Sequence, residues 1–462
     1  MNTRTLKGVP MRSRRWWLAL IGIVASMTLV AAACSSDDDG DSSSGDDSSS
    51  DGTTPSGDAN ALAGMKGTTP LVELSDEFKD RMLAIDPALV DFNYGPESYD
   101  AVIITALAAE EAQTDGAALS DKINGITRGG EKCTTYADCL ALIKAGTDVD
   151  YDGASGPLEF SGNGEPTEAS YGILEFGSNG CEETKECIDN DKTTFVTATA
   201  PSSADVPQQT TTATREGDGE FVVGSLLPET GSLAFLGPPE FAGVNLAIEE
   251  INEAGGVLGK PARHIQGDSG DTENGVAPGT VDTLLSQNVD VIVGAASSSV
   301  SLSVIDKIIN AGVIQFSPAN TSKKFSTYDD NALYFRDAPS DILQGQVLAD
   351  TIIGDGHSNV YALVLNDDYG TGLLEDLKSG LEGGGATVVG DSVYDPKAAD
   401  FSAEVEDAKG ADPDAIVIIG FDETSRILTT MIEQGIGPSD VAVYGVDGNM
   451  GNALAENFEA GT

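Results

Sequence analysis

Three places in this chain set polar residues directly after apolar runs. VDVIVGAAS leads into Ser298 and Ser299, VIQFSPA leads into Ala319 and Thr321, and VAVYGV leads into Asp447. If the runs are parallel strands, these residues collect at strand carboxyl ends, where open α/β sheets hold ligands. Ser298 and Ser299 would then stand at a helix N-terminus. Free N–H groups and the helix dipole there favour a carboxylate without an arginine. Ser298 could equally be an N-cap and no more. Asp447 could accept an ammonium through charge-assisted hydrogen bonds, or be a turn residue before Gly448. Tyr369 and Phe421 suit the walls of a cleft, or a packed core. Phe235 and Leu236, in GSLAFLG, fall in a first βα loop that would line a side-chain pocket.

The parts for catalysis are missing. The two histidines, His264 and His357, stand in unrelated strand and turn contexts, so no Ser-His-Asp triad is expected. GGVLGKP is not a phosphate loop: Ala254 replaces the first glycine, and Pro261 stands where Ser or Thr must hold magnesium. DSGDTENG, at 268–275, lacks the spacing of a calcium loop. The sequence therefore reads as a binding protein, not an enzyme, with no cofactor or metal.

The elements that must position these residues are legible from residue 220 onward. EFVVGSLLP reads as a strand and PPEFAGVNLAIEEINEAGG as an amphipathic helix ended by Gly255. Strand-like and helix-like runs then alternate to the end, which predicts parallel sheets covered on both faces. A break near Ala338 separates two such series, hence two lobes. Residues 60–200 read differently, with helices over 76–85, 97–113 and 117–126 and hairpin-like text in GPLEFSGNGEPTEASYGILEF. The stretch 197–219 is polar and rich in Pro and Thr, a flexible linker.

Acidic residues outnumber basic ones 75 to 25, for a net charge of −50, which excludes nucleic acid and anionic membrane surfaces as partners. The front of the chain is an export signal. Arg4, Lys7, Arg12, Arg14 and Arg15 precede an apolar run from Trp16 to Ala33, and small residues lead up to Cys34. This resembles a bacterial lipoprotein signal with Cys34 as the lipidated residue, although Ala31 stands where Leu is usual. SRRWWL also resembles a twin-arginine signal. Residues 35–59 are a charged Gly/Ser tether. The remaining cysteines form two close pairs, Cys133 with Cys139 and Cys181 with Cys187. In an exported protein these read as two local disulfides, because the C-x₂-C spacing of a zinc site is absent. The expected location is the outer face of a bacterial cytoplasmic membrane.

Gly294-Ala295-Ala296-Ser297-Ser298-Ser299, Ser317-Pro318-Ala319-Asn320-Thr321, Asp367-Asp368-Tyr369-Gly370, Gly420-Phe421 and Val446-Asp447-Gly448 resemble the type I periplasmic binding proteins, particularly the leucine/isoleucine/valine-type receptors of ABC importers. The resemblance covers nearly all of 218–462. It implies two Rossmann-like lobes joined by three crossovers. The ligand contacts it implies are Ser298, Ser299, Ala319, Thr321, Tyr369, Phe421 and Asp447. In relatives the Phe421 position is commonly Tyr. The implied function is capture of a small solute, an amino acid or amide, for delivery to a permease and ATPase pair; a sensing module on the same fold is the alternative.

Residues 60–200 resemble the same family, but its C-terminal part. GTTPLVELSDEFKDRM, YGPESYDAVIITALA and DYDGASGPLEF match text that normally follows GVDGNMG. The expected arrangement is a circular permutant, with 201–217 joining the family's usual ends; that linker can reach roughly 55 Å. Crossovers are expected near Ala338, Thr69 and Gly156. One lobe would comprise 71–155 and 218–338, and the other 339–462 with the remainder of 60–200.

Overall fold

The structure is a computed structural model that describes residues 59–156, 158–178, 187–199 and 207–460. The expected signal with Cys34, the tether up to residue 58, Cys181 and linker residues 201–206 lie outside the described residues. The front segment contributes β1 (Lys66–Pro70), α1 (Asp76–Ile85), α2 (Gly95–Ala112), α3 (Ser120–Ile126), β2 (Glu131–Cys133), α4 (Tyr136–Lys144), β3 (Val149–Tyr151), β4 (Glu168–Glu175) and β5 (Thr194–Thr199). The first βα series contributes β6 (Val222–Leu226), α5 (Gly237–Glu253), β7 (Arg263–Ile265), α6 (Ala277–Ser286), β8 (Val291–Gly294), α7 (Ser298–Asn310), β9 (Ile314–Ser317) and β10 (Tyr334–Arg336). The second contributes α8 (Asp341–Gly354), β11 (Asn359–Leu365), α9 (Asp368–Gly384), β12 (Thr387–Tyr394), α10 (Ser402–Gly410), β13 (Ala415–Ile419), α11 (Thr424–Glu433), β14 (Ala442–Gly445) and α12 (Asn452–Ala460).

Two main sheets result, one per lobe. The first is wholly parallel, in the order β10-β9-β8-β6-β7. Most of its strands are buried throughout, because α2 and α5 cover one face and α6 and α7 the other. The second runs β12-β11-β13-β14-β1-β4-β5, parallel as far as β1 and antiparallel beyond it. In it the front segment pairs with the last strand of the chain: Lys66 lies opposite Tyr444 and Gly67 opposite Gly445. After β1 the chain leaves for the first lobe, builds α1 to α4 there, and returns as β4 beside β1.

Three expectations need correction. The crossover expected near Gly156 lies later, just before Glu168, because Leu158 and Phe160 are buried in the first lobe's core. The hairpin expected over 156–176 is only a bridge between Phe160 and Pro166, and β4 instead pairs antiparallel with β1 on one side and β5 on the other. The linker expected to be flexible is docked over 207–217. Thr211 N–H donates to Asp121 at 2.9 Å, and Thr212 N–H to Asn331 at 3.0 Å. Arg215 pairs with the buried Asp290 at 2.8 Å, and its carbonyl accepts from Ala117 N–H. Polar side chains with fixed partners order a segment whose composition alone reads as loose.

Cys133 and Cys139 form the expected disulfide, which pins the end of β2 to α4. Cys187 is also disulfide-bonded. Among the described residues no helix is long and apolar enough to cross a membrane.

Where α2 and α5 cross, their backbones nearly touch: a Cβ on Gly243 would run into the carbonyl of Gly95. This close approach buries Glu97 and Glu240, the latter with neither carboxylate oxygen hydrogen-bonded. Burial raises Glu97 to about 8, with the charge of Asp100 adding to it, and pushes Glu240 well above the carboxylate range, with Glu97 adding to that. Asp337, at the crossover to α8, is raised for the same first reason. Folded-state values above unfolded ones mean stability that is complete at low pH and lost as pH rises through the folded value. For Glu97 the window runs from 4.5 to about 8. The thermal midpoint is therefore expected to fall between about pH 6 and about pH 8.5. Glu240→Gln should raise the midpoint at the higher pH by about 2–4 °C, read by calorimetry.

Candidate functional site

Strand ends from both sheets converge on one cavity. Leu233 and Leu236 follow β6, Ala296 to Ser298 follow β8, and Ala319 and Thr321 follow β9. From the second lobe come Tyr369 after β11, Phe421 after β13, and Asp447 and Gly448 after β14. Tyr94, just before α2, supplies the remaining wall. The cavity is tight, with about 20 Å³ open to the centres of water-sized molecules. A wider space outside it, bordered by Asp271, Glu273, Asp395, Lys397 and Asp422, shares Leu233, Ser297 and Phe421 with it.

The α7 N-terminus is capped by Ser297, whose hydroxyl accepts from Val300 N–H at 3.4 Å. Ser298 is therefore free of the capping task. It is buried, and its hydroxyl accepts from Ser322 N–H at 3.3 Å. Ala319 lines the cavity with its N–H donated to Ser317 Oγ at 3.3 Å. The Thr321 carbonyl accepts from Asp341 N–H at 2.8 Å, which ties this wall to the start of α8.

On the opposite side, Tyr369 stacks on Phe421 with ring centres 5.4 Å apart and planes 14° apart. Asp447 is 4% exposed and accepts three hydrogen bonds: from Tyr369 Oη at 2.6 Å, Tyr94 Oη at 2.8 Å and Gln344 Nε2 at 2.9 Å. Burial raises its pKa, while these three donors pull it back toward the anion. A carboxylate offers about four lone-pair directions. Three of these are taken, and Asp447 lines a cavity that is apolar on Leu233, Leu236 and Phe421.

The structure brings together six of the seven residues expected at the site. Ser299 is the exception: its hydroxyl donates to Asp367 of the other lobe at 3.0 Å and accepts from Asp368 N–H at 3.2 Å. Leu236 lines the cavity as expected, whereas Phe235 packs against the second lobe's core. Tyr94, Gln344 and Leu233 are site residues the sequence did not suggest. For Tyr94 the one signal was its place before the Gly-Pro that opens α2. Its backbone is left-handed, with φ at 59°, an uncommon state for a bulky residue and one that collects at functional sites.

Residues 220–460 match the periplasmic binding protein family, and the chain belongs to it. This is a family of solute-binding proteins, not of enzymes. The "Leu/Ile/Val-binding protein homolog 3" of Brucella melitensis is 26% identical over 215 residues, 46% of this chain and 58% of that protein. The "Leucine-, isoleucine-, valine-, threonine-, and alanine-binding protein" of Pseudomonas aeruginosa is 27% identical over 238 residues, 48% of this chain and 63% of that protein. Among solved structures, the substrate-binding protein LivJ of Streptococcus pneumoniae in complex with isoleucine is 26% identical, with a TM-score of 0.46 over 52% of this chain and 67% of that one. The matched stretch thus spans less than two thirds of these curated relatives.

Tyr94 donates to a buried carboxylate, so its hydroxyl should matter more than its ring. Tyr94→Phe is expected to keep the fold and lose about 1.5–3 kcal/mol in denaturant unfolding. An unchanged unfolding midpoint would show that the Asp447 bond contributes nothing.

Proposed function

We propose that this protein is an extracytoplasmic solute receptor, lipid-anchored through Cys34, that closes two lobes on a small amino-acid-like solute and delivers it to the permease and ATPase of an ABC importer. The observation that carries the reading is the pairing of opposite chemistries across one cavity. The α7 N-terminus with Ser298 and Thr321 suits a carboxylate, and Asp447 suits an ammonium. Leu233, Leu236 and Phe421 between them suit an apolar side chain. The curated relatives are named as binding proteins for leucine, isoleucine and valine, which supports the same solute class. A solute that touches both lobes stabilises the closed form by its differential contacts.

The second part of the proposal is the order of the chain. Residues 60–200 supply β1, β4, β5 and Tyr94 to a sheet and a site otherwise built by 220–460, and the 207–217 segment leads from one part to the other along the first lobe. This supports a circular permutant of one binding protein. The signal peptide and the lipid anchor rest on the sequence around Cys34.

The reading is tested by a thermal-shift and calorimetric screen of the 60–462 protein against L-amino acids and short amides. One cooperative transition raised by the branched-chain class is expected. Asp447→Asn should weaken that ligand by about a hundredfold, since it removes one partner of a buried charge pair. A screen without any stabilising solute would overturn the function. The chain order is tested separately by joining Thr462 to Asn60 and opening the chain in the 201–217 stretch. The rejoined protein should unfold in one transition and bind the same solute class; a protein that does not fold would overturn the permutation.

A further inference from the structure

The residues that follow Thr321 do not stay in their own lobe. Lys323 Nζ lies 2.9 Å from Glu375 and 3.0 Å from Asp376, and Lys324 pairs with Asp368. All three acids belong to α9 of the second lobe, whereas the lysines sit between β9 and Phe325 of the first lobe's core. Ser299, at the start of α7, grips the start of α9 through Asp367 and the Asp368 N–H. Lys397 of the second lobe pairs with Glu273 of the first at the outer space.

In a chain of net charge −50 the default force between two lobes is repulsion. Lysines that reach across the cleft reverse it locally. They are also joined to the binding cavity by the chain itself: Thr321 lines the cavity, and Ser322 donates its N–H to Ser298.

We propose that Ser299, Lys323 and Lys324 form an interlobe clasp on α9 that sets how tightly the cleft closes and makes solute affinity depend on ionic strength. The affinity arm rests on the solute-receptor reading above; the closure arm does not. None of the clasp residues lines the cavity, and they act as positioning residues. Lys324, Asp368 and Glu375 are largely exposed, so salt screens them strongly, whereas Asp376 is mostly covered.

The test uses Lys323→Ala/Lys324→Ala in the 60–462 protein, with small-angle scattering of the ligand-free protein at about 50 mM and about 1 M NaCl. The wild type should expand on going to high salt, and the double variant should already be expanded at low salt. By titration calorimetry the variant should bind the stabilising solute about five- to tenfold more weakly at low salt, a deficit that shrinks at high salt. Lys323→Glu combined with Glu375→Lys should restore part of the low-salt affinity. A role confined to folding would instead lower the thermal midpoint and leave the salt response alone. Equal radii and equal salt dependence in variant and wild type would overturn the clasp. If no solute binds the wild type, the receptor reading fails, and the scattering arm still decides the clasp.

Discussion

A carboxylate sealed from water keeps its charge only if donors replace the water it lost. Asp447 meets that condition with Tyr94, Gln344 and Tyr369, residues from three separate stretches of the chain. Tyr94 comes from the front segment, Gln344 from the helix that starts the second βα series, and Tyr369 from the first turn of α9. The arrangement around Asp447 exists only when all three stretches are in register. The stacking of Tyr369 on Phe421 and the left-handed turn at Tyr94 both serve to aim hydroxyls at it. In this sense the carboxylate defines the site, and the cavity is the space left beside it.

The same physics appears unbalanced elsewhere. Asp341 lies fully buried near Asp447, with no hydrogen bond to either oxygen among the described residues, and burial followed by the Asp447 charge raises its pKa well above the ordinary range. Glu240 and Asp337 share that condition. The one large cation deep in this region, Arg336, is taken up by Glu165 and by the carbonyls of Asn320 and Ser322. The molecule therefore carries its negative charge in two ways. Many acids lie at the solvated surface, while burial pushes those around the crossovers, Asp337 and Asp341, above the carboxylate range. Asp447 is supplied with three donors against that burial, and the buried Asp100 likewise accepts from Tyr151 Oη, the Ala154 N–H and both the N–H and hydroxyl of Ser155.

The βα series from 220 to 460 was legible because its signal is local. A run such as AIVII can be satisfied only by burial on both faces, and the helical spacing between such runs leaves little choice of topology. That Ser298, Thr321 and Asp447 collect at strand ends around one cavity followed directly from that reading. The residues it missed have little local signal. Gln344 is one polar position on a buried helix, and Tyr94 owes its role to a turn with φ above zero that a Tyr-Gly-Pro sequence does not announce. Spacing places Ser299 at a helix end without saying which lobe its side chain faces, and its hydroxyl meets Asp367 and Asp368 of the other lobe. The crossover near Gly156 was misplaced because Leu158 and Phe160 read as strand text, while their destination is the other lobe's core.

Four consecutive residues show why the site and the closure of the lobes cannot be treated apart. Thr321 lines the cavity and holds the first turn of α8 by its carbonyl. Ser322 donates to Ser298 at the α7 N-terminus. Lys323 and Lys324 lie against α9. A segment this short and this buried at one end has no slack, since neighbouring contacts cannot shift independently in a close-packed interior. A shift of α9 must therefore be felt at Thr321, and a shift at Thr321 must be felt at α9. The start of α8 meets the same stretch through the Asp341 N–H, which donates to the Thr321 carbonyl, so the crossover, the cavity and the cleft edge come together at four residues.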